Sequence, residues 1–126
     1  MGQYNFTSEE ISDLIVGALE GGINYWCGKV ILVKDRFDKI FKGVKPEDQE
    51  KVQYASDLIG LGGELILVDI DEPEERWVLT KEEVLEGIKM YCEENDITEE
   101  ELMDNYDADS CDQIIQYGLF GEIVFG

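Results

Sequence analysis

Apolar residues at Ile11, Leu14, Ile15, Ala18 and Leu19 recur at i, i+3, i+4, i+7 and i+8, which predicts a helix over residues 8–20. Gly21 and Gly22 then stop it, because glycine takes up the left-handed cap conformation at little cost. "WCGKVILVK" (26–34) reads as a strand and is followed by a basic loop over 35–45. Pro46 suits a first helical turn, and Val52, Ala55, Leu58 and Ile59 predict a second helix over 46–59, ended by "GLGG". "ELILVDI" (64–70), "DEPEE" (71–75) and "RWVLT" (76–80) predict strand, turn and strand, a hairpin. Val84, Leu85, Ile88, Tyr91 and Cys92 mark a helix over 81–94, a short helix starts after Thr98, and Cys111, Ile114, Ile115, Gly118 and Leu119 line the face of another. "GEIVFG" (121–126) reads either as a short strand or as an apolar tail laid on the core.

Three of these helices carry the same start signal. Thr7 and Glu10, Thr80 and Glu83, and Thr98 and Glu101 stand three residues apart, each pair flanked by apolar residues. In such a capping box the threonine oxygen accepts an orphan backbone N–H, and the glutamate reaches back to the cap. The element order α-β-α-β-β-α-α-α implies an α+β fold. A small antiparallel sheet of about three strands is packed by about four to five helices, in a single domain spanning 1–126.

Charge alters this picture. The chain of 126 residues has a formal net charge of -20, and that excess is placed unevenly. Residues 1–45 hold six acidic and six basic side chains, whereas 46–126 hold 24 acidic and four basic. A uniform solubility coat does not require that asymmetry, which points instead to a directional field. The densest stretch, "EENDITEEELMDNYDADSCD" (93–112), contains Glu93, Glu94, Asp96, Glu99, Glu100, Glu101, Asp104, Asp107, Asp109 and Asp112, with no Lys or Arg.

Several chemistries are missing. The chain has no His, which removes the commonest general base, any Ser-His or Cys-His nucleophile pair, and the usual zinc ligand. Cys27, Cys92 and Cys111 lack CxxC spacing and read as buried, reduced thiols. "GLGG" follows a helix and precedes a strand, the wrong order for a dinucleotide or phosphate loop. "DNYDADSCD" lacks the glycine and the closing glutamate of a calcium loop whether started at Asp104 or Asp107. No enzyme activity, cofactor or dedicated metal site is expected. No apolar run of membrane-spanning length and no signal-peptide pattern is present. Tyr25 and Trp26 open a strand after a helix stop and read as core packing rather than a ligand platform.

Two readings of the acidic run stay open. One is a solvated face that aids solubility. The other is a polyanion surface. Carboxylates one helical turn apart stand about 5–6 Å from one another, close to the spacing of phosphates along a nucleic acid strand, so they would compete for a basic cleft.

"EGGINYWCGKV" (20–30) and "DQIIQYGLFGEIVFG" (112–126) resemble segments of small uncharacterised acidic proteins from bacteriophages, prophages and mobile elements of Firmicutes. That resemblance covers the two ends and carries no catalytic residue. It implies a phage accessory role in the host cytoplasm, in the manner of inhibitors of host defence such as anti-CRISPR proteins. The expected function is therefore a non-enzymatic inhibitor of a host nucleic-acid-binding defence protein, a CRISPR effector being one such partner. The ten carboxylates of 93–112 would form its binding surface, with no direct binding of nucleic acid and no membrane. Two alternatives accompany it. One is a phage structural or assembly protein that self-associates as a homo-oligomer through its apolar tail or its dipolar charge layout. The other is a nucleotide-sequestering module using Lys34, Arg36, Lys39, Lys42 and Lys45, diluted by Asp35 and Asp38.

Overall fold

The computed structural model describes residues 4–37 and 39–126; Asp38 of the basic loop lies outside them. The fold is α+β. Strands β1 (Cys27–Leu32), β2 (Leu65–Asp69) and β3 (Arg76–Leu79) form one antiparallel sheet in the order β1-β2-β3. Lys29 pairs with Val68 and Leu32 with Leu65, while Leu67 pairs with Trp77, and the register slips once between Cys27 and Lys29. Around the sheet lie α1 (Ser8–Gly17), α2 (Ala55–Gly60), α3 (Lys81–Asn95), α4 (Glu99–Asn105) and α5 (Ala108–Phe120). Ile11, Ile15, Leu58, Ile59, Leu65, Leu67 and Val84 are fully buried between helices and sheet. Burial of such side chains contributes about 1.5–3 kcal/mol each relative to exposure.

The three threonine caps form as the sequence implies. In each the backbone N–H of the glutamate donates to the threonine hydroxyl, and the glutamate carboxylate accepts from the threonine backbone N–H. A fourth box, Asp107 with Ser110, starts α5.

Two helices differ from the expectation. The first stops being α-helical at Gly17, widens into a π turn over Ala18–Gly22, and breaks at Gly21, whose φ of 168 and ψ of -40 are outside helical geometry and outside the left-handed cap region. Close approach to α5 accounts for the glycines that flank that turn. A Cβ on Gly17 would lie 2.6 Å from Cys111 Sγ, and one on Gly22 2.6 Å from the Ala108 carbonyl oxygen. The helix expected over 46–59 is broken into a 3-10 segment, Pro46–Lys51, and α2. Side chains outcompete the helix ladder there. Gln49 Oε1 accepts from the Phe41 N–H, and its Nε2 donates to the carbonyls of Phe41 and Val44. Asp57 then accepts from the N–H groups of Gln53 and Tyr54 and starts a new helix. Leu85, expected to face inward on α3, is 37% exposed and lines an open groove. Segment 121–126 is not a strand; it lies on the core through Phe125, the second of the two forms the sequence allows. Among the described residues no helix is long and apolar enough to cross a membrane.

Candidate functional site

The acidic run folds into a continuous corner: the last turn of α3, a tight link, α4, a second link, and the first turn of α5. Leu102 anchors the corner at 2% exposure, and Ile97, Met103 and Tyr106 pack on the core beside it. Asp96 ends α3 in the left-handed region (φ 52), a conformation aspartate tolerates better than most residues. The Ile97 N–H reaches back to the Cys92 carbonyl at 3.0 Å and closes the helix end. Asn95 and Asn105 each donate from the side-chain amide to the carbonyl one turn earlier, Tyr91 and Glu101 respectively.

This corner sets most of the expected carboxylates in water. Glu93, Glu94, Asp96, Glu100, Glu101, Asp104, Asp107 and Asp109 are exposed, and Glu99 is half-buried. Asp112 is not on the surface; it is 5% exposed and leaves the expected binding set. Its carboxylate is held by three donors: Trp26 Nε1 at 2.8 Å, the Tyr25 hydroxyl at 2.6 Å and Gln116 Nε2 at 2.9 Å. Two exposed members also do structural work. Glu101 accepts from the Thr98 N–H, and Asp107 accepts from both the N–H and the hydroxyl of Ser110. Those bonds to Ser110, the backbone one foremost, hold the Asp107 carboxyl below its ordinary pKa.

The ion pairs among the described residues are Lys42–Glu64 at 3.7 Å and Lys51–Asp48 at 2.8 Å, and neither involves the acidic corner. The field of the corner reaches inward. Burial, then the charges of Glu99 and Glu101, push the Cys92 thiol up to about 11. Among the described residues no group of three or more His, Cys, Asp or Glu side chains is arranged to hold a metal ion.

The basic loop is less concentrated than its composition implies. Lys34 Nζ stands 5.1 Å from the centre of the Phe41 ring, and Lys42 pairs with Glu64. A groove of about 610 Å³ contains Lys81 and Lys89, but Glu82, Glu86 and Glu99 line it too.

Trp26 is core, 2% exposed, whereas the Tyr25 ring is half exposed with its hydroxyl turned inward to Asp112. Burial and that bond raise the Tyr25 hydroxyl to about 12. Gln116, Trp77 and Phe125 complete this inner arrangement and were not singled out from the sequence. A polar residue one turn after Asp112, inside the apolar run "IIQYGLF", is the signal that marks Gln116. Comparison with known proteins finds no matching family model, no matching curated protein and no matching solved structure.

Proposed function

We propose that the chain is a non-enzymatic inhibitor that binds a basic, nucleic-acid-binding protein through the acidic corner of α3, α4 and α5. The observation that carries this reading is a run of exposed carboxylates, anchored by Leu102, that has no ion pair among the described residues. Self-repulsion within such a surface is relieved when a basic cleft covers it. The charges sit on three short helix segments and their caps, so the one-helix pitch read from the sequence is broken after Asn95, but the segments are already folded and little order has to be imposed on binding. The resemblance of residues 20–30 and 112–126 to phage and prophage proteins supports an action in a host cytoplasm, against a defence protein such as a CRISPR effector.

The test uses affinity capture from host lysate at low and at high salt, followed by mass spectrometry and measurement of binding rates. The captured partner should be a basic nucleic-acid-binding protein, released by salt and displaced by DNA or RNA. A variant carrying Glu94→Gln, Glu100→Gln and Asp104→Asn should bind more slowly while keeping its fold. Asp107 and Glu101 are left intact because they cap helices. Unchanged affinity in the triple variant, or indifference to salt, rejects the proposal.

A second reading, self-association, rests on Ile123 and Val124, which are 41% and 53% exposed. Sedimentation of the chain and of its Ile123→Ser/Val124→Ser variant decides it: a concentration-dependent dimer lost in the variant supports it, and a monomer at every concentration removes it.

A further inference from the structure

Phe125 is held as a ligand is held. Trp26, Trp77 and Phe120 form three walls that support one another at centroid distances of 5.7, 6.0 and 5.2 Å. The Phe125 ring stacks on Trp26 at 4.9 Å with planes 4° apart, and meets Trp77 and Phe120 edge-on. Such contacts add about 0.5–1.5 kcal/mol per pair beyond the area buried.

The backbone of the same segment is read by one side chain. Gln116, fully buried, accepts from the N–H groups of Val124 and Phe125, both at 2.8 Å, through Oε1. Its Nε2 donates to the Phe125 carbonyl at 3.2 Å, and the Tyr25 hydroxyl, which shares its one proton chiefly with Asp112, lies 3.2 Å from the same oxygen. Among the described residues, every hydrogen bond of 122–126 goes to Gln116 or Tyr25.

The orientation of this reader is set by Asp112. Asp112 offers only acceptors, so the Gln116 amide must turn Nε2 toward it and Oε1 toward the segment. Trp26 Nε1 and the Tyr25 hydroxyl fix Asp112 in turn. Without the segment, Oε1 would lose both of its N–H donors and stand at the mouth of an aromatic box. The segment itself is lightly attached: Glu122, Ile123 and Val124 are exposed, and Gly121 turns the chain in the left-handed region (φ 76) with nothing near its Cβ direction.

We infer that Trp26, Trp77, Phe120 and Gln116 form a peptide-binding site that residues 122–126 fill in cis as an exchangeable strap. Its ligand class is an extended peptide with a branched aliphatic residue followed by phenylalanine. The backbone is recognised by the glutamine amide in the way a sheet edge recognises an added strand.

The test is done on the full chain carrying Phe125→Pro, which removes both the ring and one N–H, with the capped hexapeptide Gly-Glu-Ile-Val-Phe-Gly as probe. The chain has two tryptophans, and both are walls of the box, so intrinsic fluorescence reports on it directly. The variant should bind the peptide saturably and regain the emission of the unaltered chain. The peptide with Ala for Phe should not bind, and adding Gln116→Leu should weaken binding by about tenfold or more, the factor for about 1.4 kcal/mol. No saturable response at millimolar peptide, or a variant that fails to fold, overturns the proposal. Hydrogen exchange on the unaltered chain gives an independent reading. The Val124 and Phe125 amides should exchange through local release, about tenfold or more faster than those of Ile114 and Ile115. Equal protection would make the segment ordinary core and overturn the proposal.

Discussion

Gly87 and Gly118 face each other where α3 crosses α5, and the two helices touch backbone to backbone there. A Cβ on Gly87 would lie 2.1 Å from the Ile114 carbonyl oxygen and 2.9 Å from the Gly118 nitrogen; one on Gly118 would lie 2.2 Å from the Glu83 carbonyl oxygen. The neighbours are backbone, so they cannot swing aside. Gly87→Ala and Gly118→Ala should therefore each destabilise the chain by about 1–3 kcal/mol or more, despite alanine's better helix propensity. Urea unfolding checks this: the midpoint should fall while the slope stays constant. A midpoint raised by alanine would show that the helices can separate freely.

Asp112 links the turn before β1 to α5 through Trp26. Asp112→Ala removes the acceptor for a buried indole N–H and frees the amide of Gln116 to turn. The loss should be about 1–3 kcal/mol, with a change in tryptophan emission, whereas Asp109→Ala on the same helix should change little. Comparable effects at both positions would contradict the burial difference.

Caps give a pH-dependent expectation. Thr80→Ala should cost about 0.5–2 kcal/mol at any pH at which the fold persists. Asp107→Ala should cost a similar amount at neutral pH. The Asp107 carboxyl is held below its ordinary pKa, so its stabilisation is fully present above the unfolded-state value and is lost as pH falls through the folded one. The gap between Asp107→Ala and the unaltered chain should therefore narrow below the usual carboxylate range. A gap constant down to acid pH would mean that the charge of Asp107 contributes nothing.

Salt should stabilise this protein. With a net charge of -20 and two ion pairs among the described residues, screening weakens repulsion more than attraction. Raising NaCl from about 0.05 to about 0.5 M should raise Tm, since the Debye length shrinks to a few ångströms. The Glu94→Gln/Glu100→Gln/Asp104→Asn variant should show a smaller rise. A fall in Tm would mean that attractive pairs dominate.

All three thiols are buried, and burial pushes Cys92 up to about 11 and Cys111 up to about 12. The native chain should react with a thiol reagent at mildly alkaline pH far more slowly than the unfolded chain, because the thiolate is the reacting form. Rapid titration of Cys111 before unfolding would place it nearer the surface.

The elements legible in the sequence were those specified by local rules. Capping boxes at Thr7, Thr80 and Thr98 need only residues three apart, and the hairpin needs only its turn. What escaped was decided by contacts outside the local pattern of each run. Gln49 breaks the second helix by reaching Phe41 and Val44, and neither bond has a signature in the run that contains it. Asp112 looked like one more surface carboxylate because its partner Trp26 lies 86 positions away. The acidic corner was readable as charge, but which of its members cap helices became visible only with Ser110 and Thr98 in place.

The widened turn at Ala18–Gly22 makes the spacing of the chain itself a constraint. Gly21 leaves helical geometry at the end of that turn (φ 168, ψ -40), and because each residue advances a helix by about 100°, deleting one residue before it would re-aim everything downstream. Ile23, Trp26 and the strand they lead into would lose their facing to the core. Substitutions at Leu19 or Glu20, which keep the count, leave that phase intact. A one-residue gap between Ala18 and Ile23 should therefore damage the fold more than most side-chain changes in the same stretch, and sequences sharing this fold should conserve its length there.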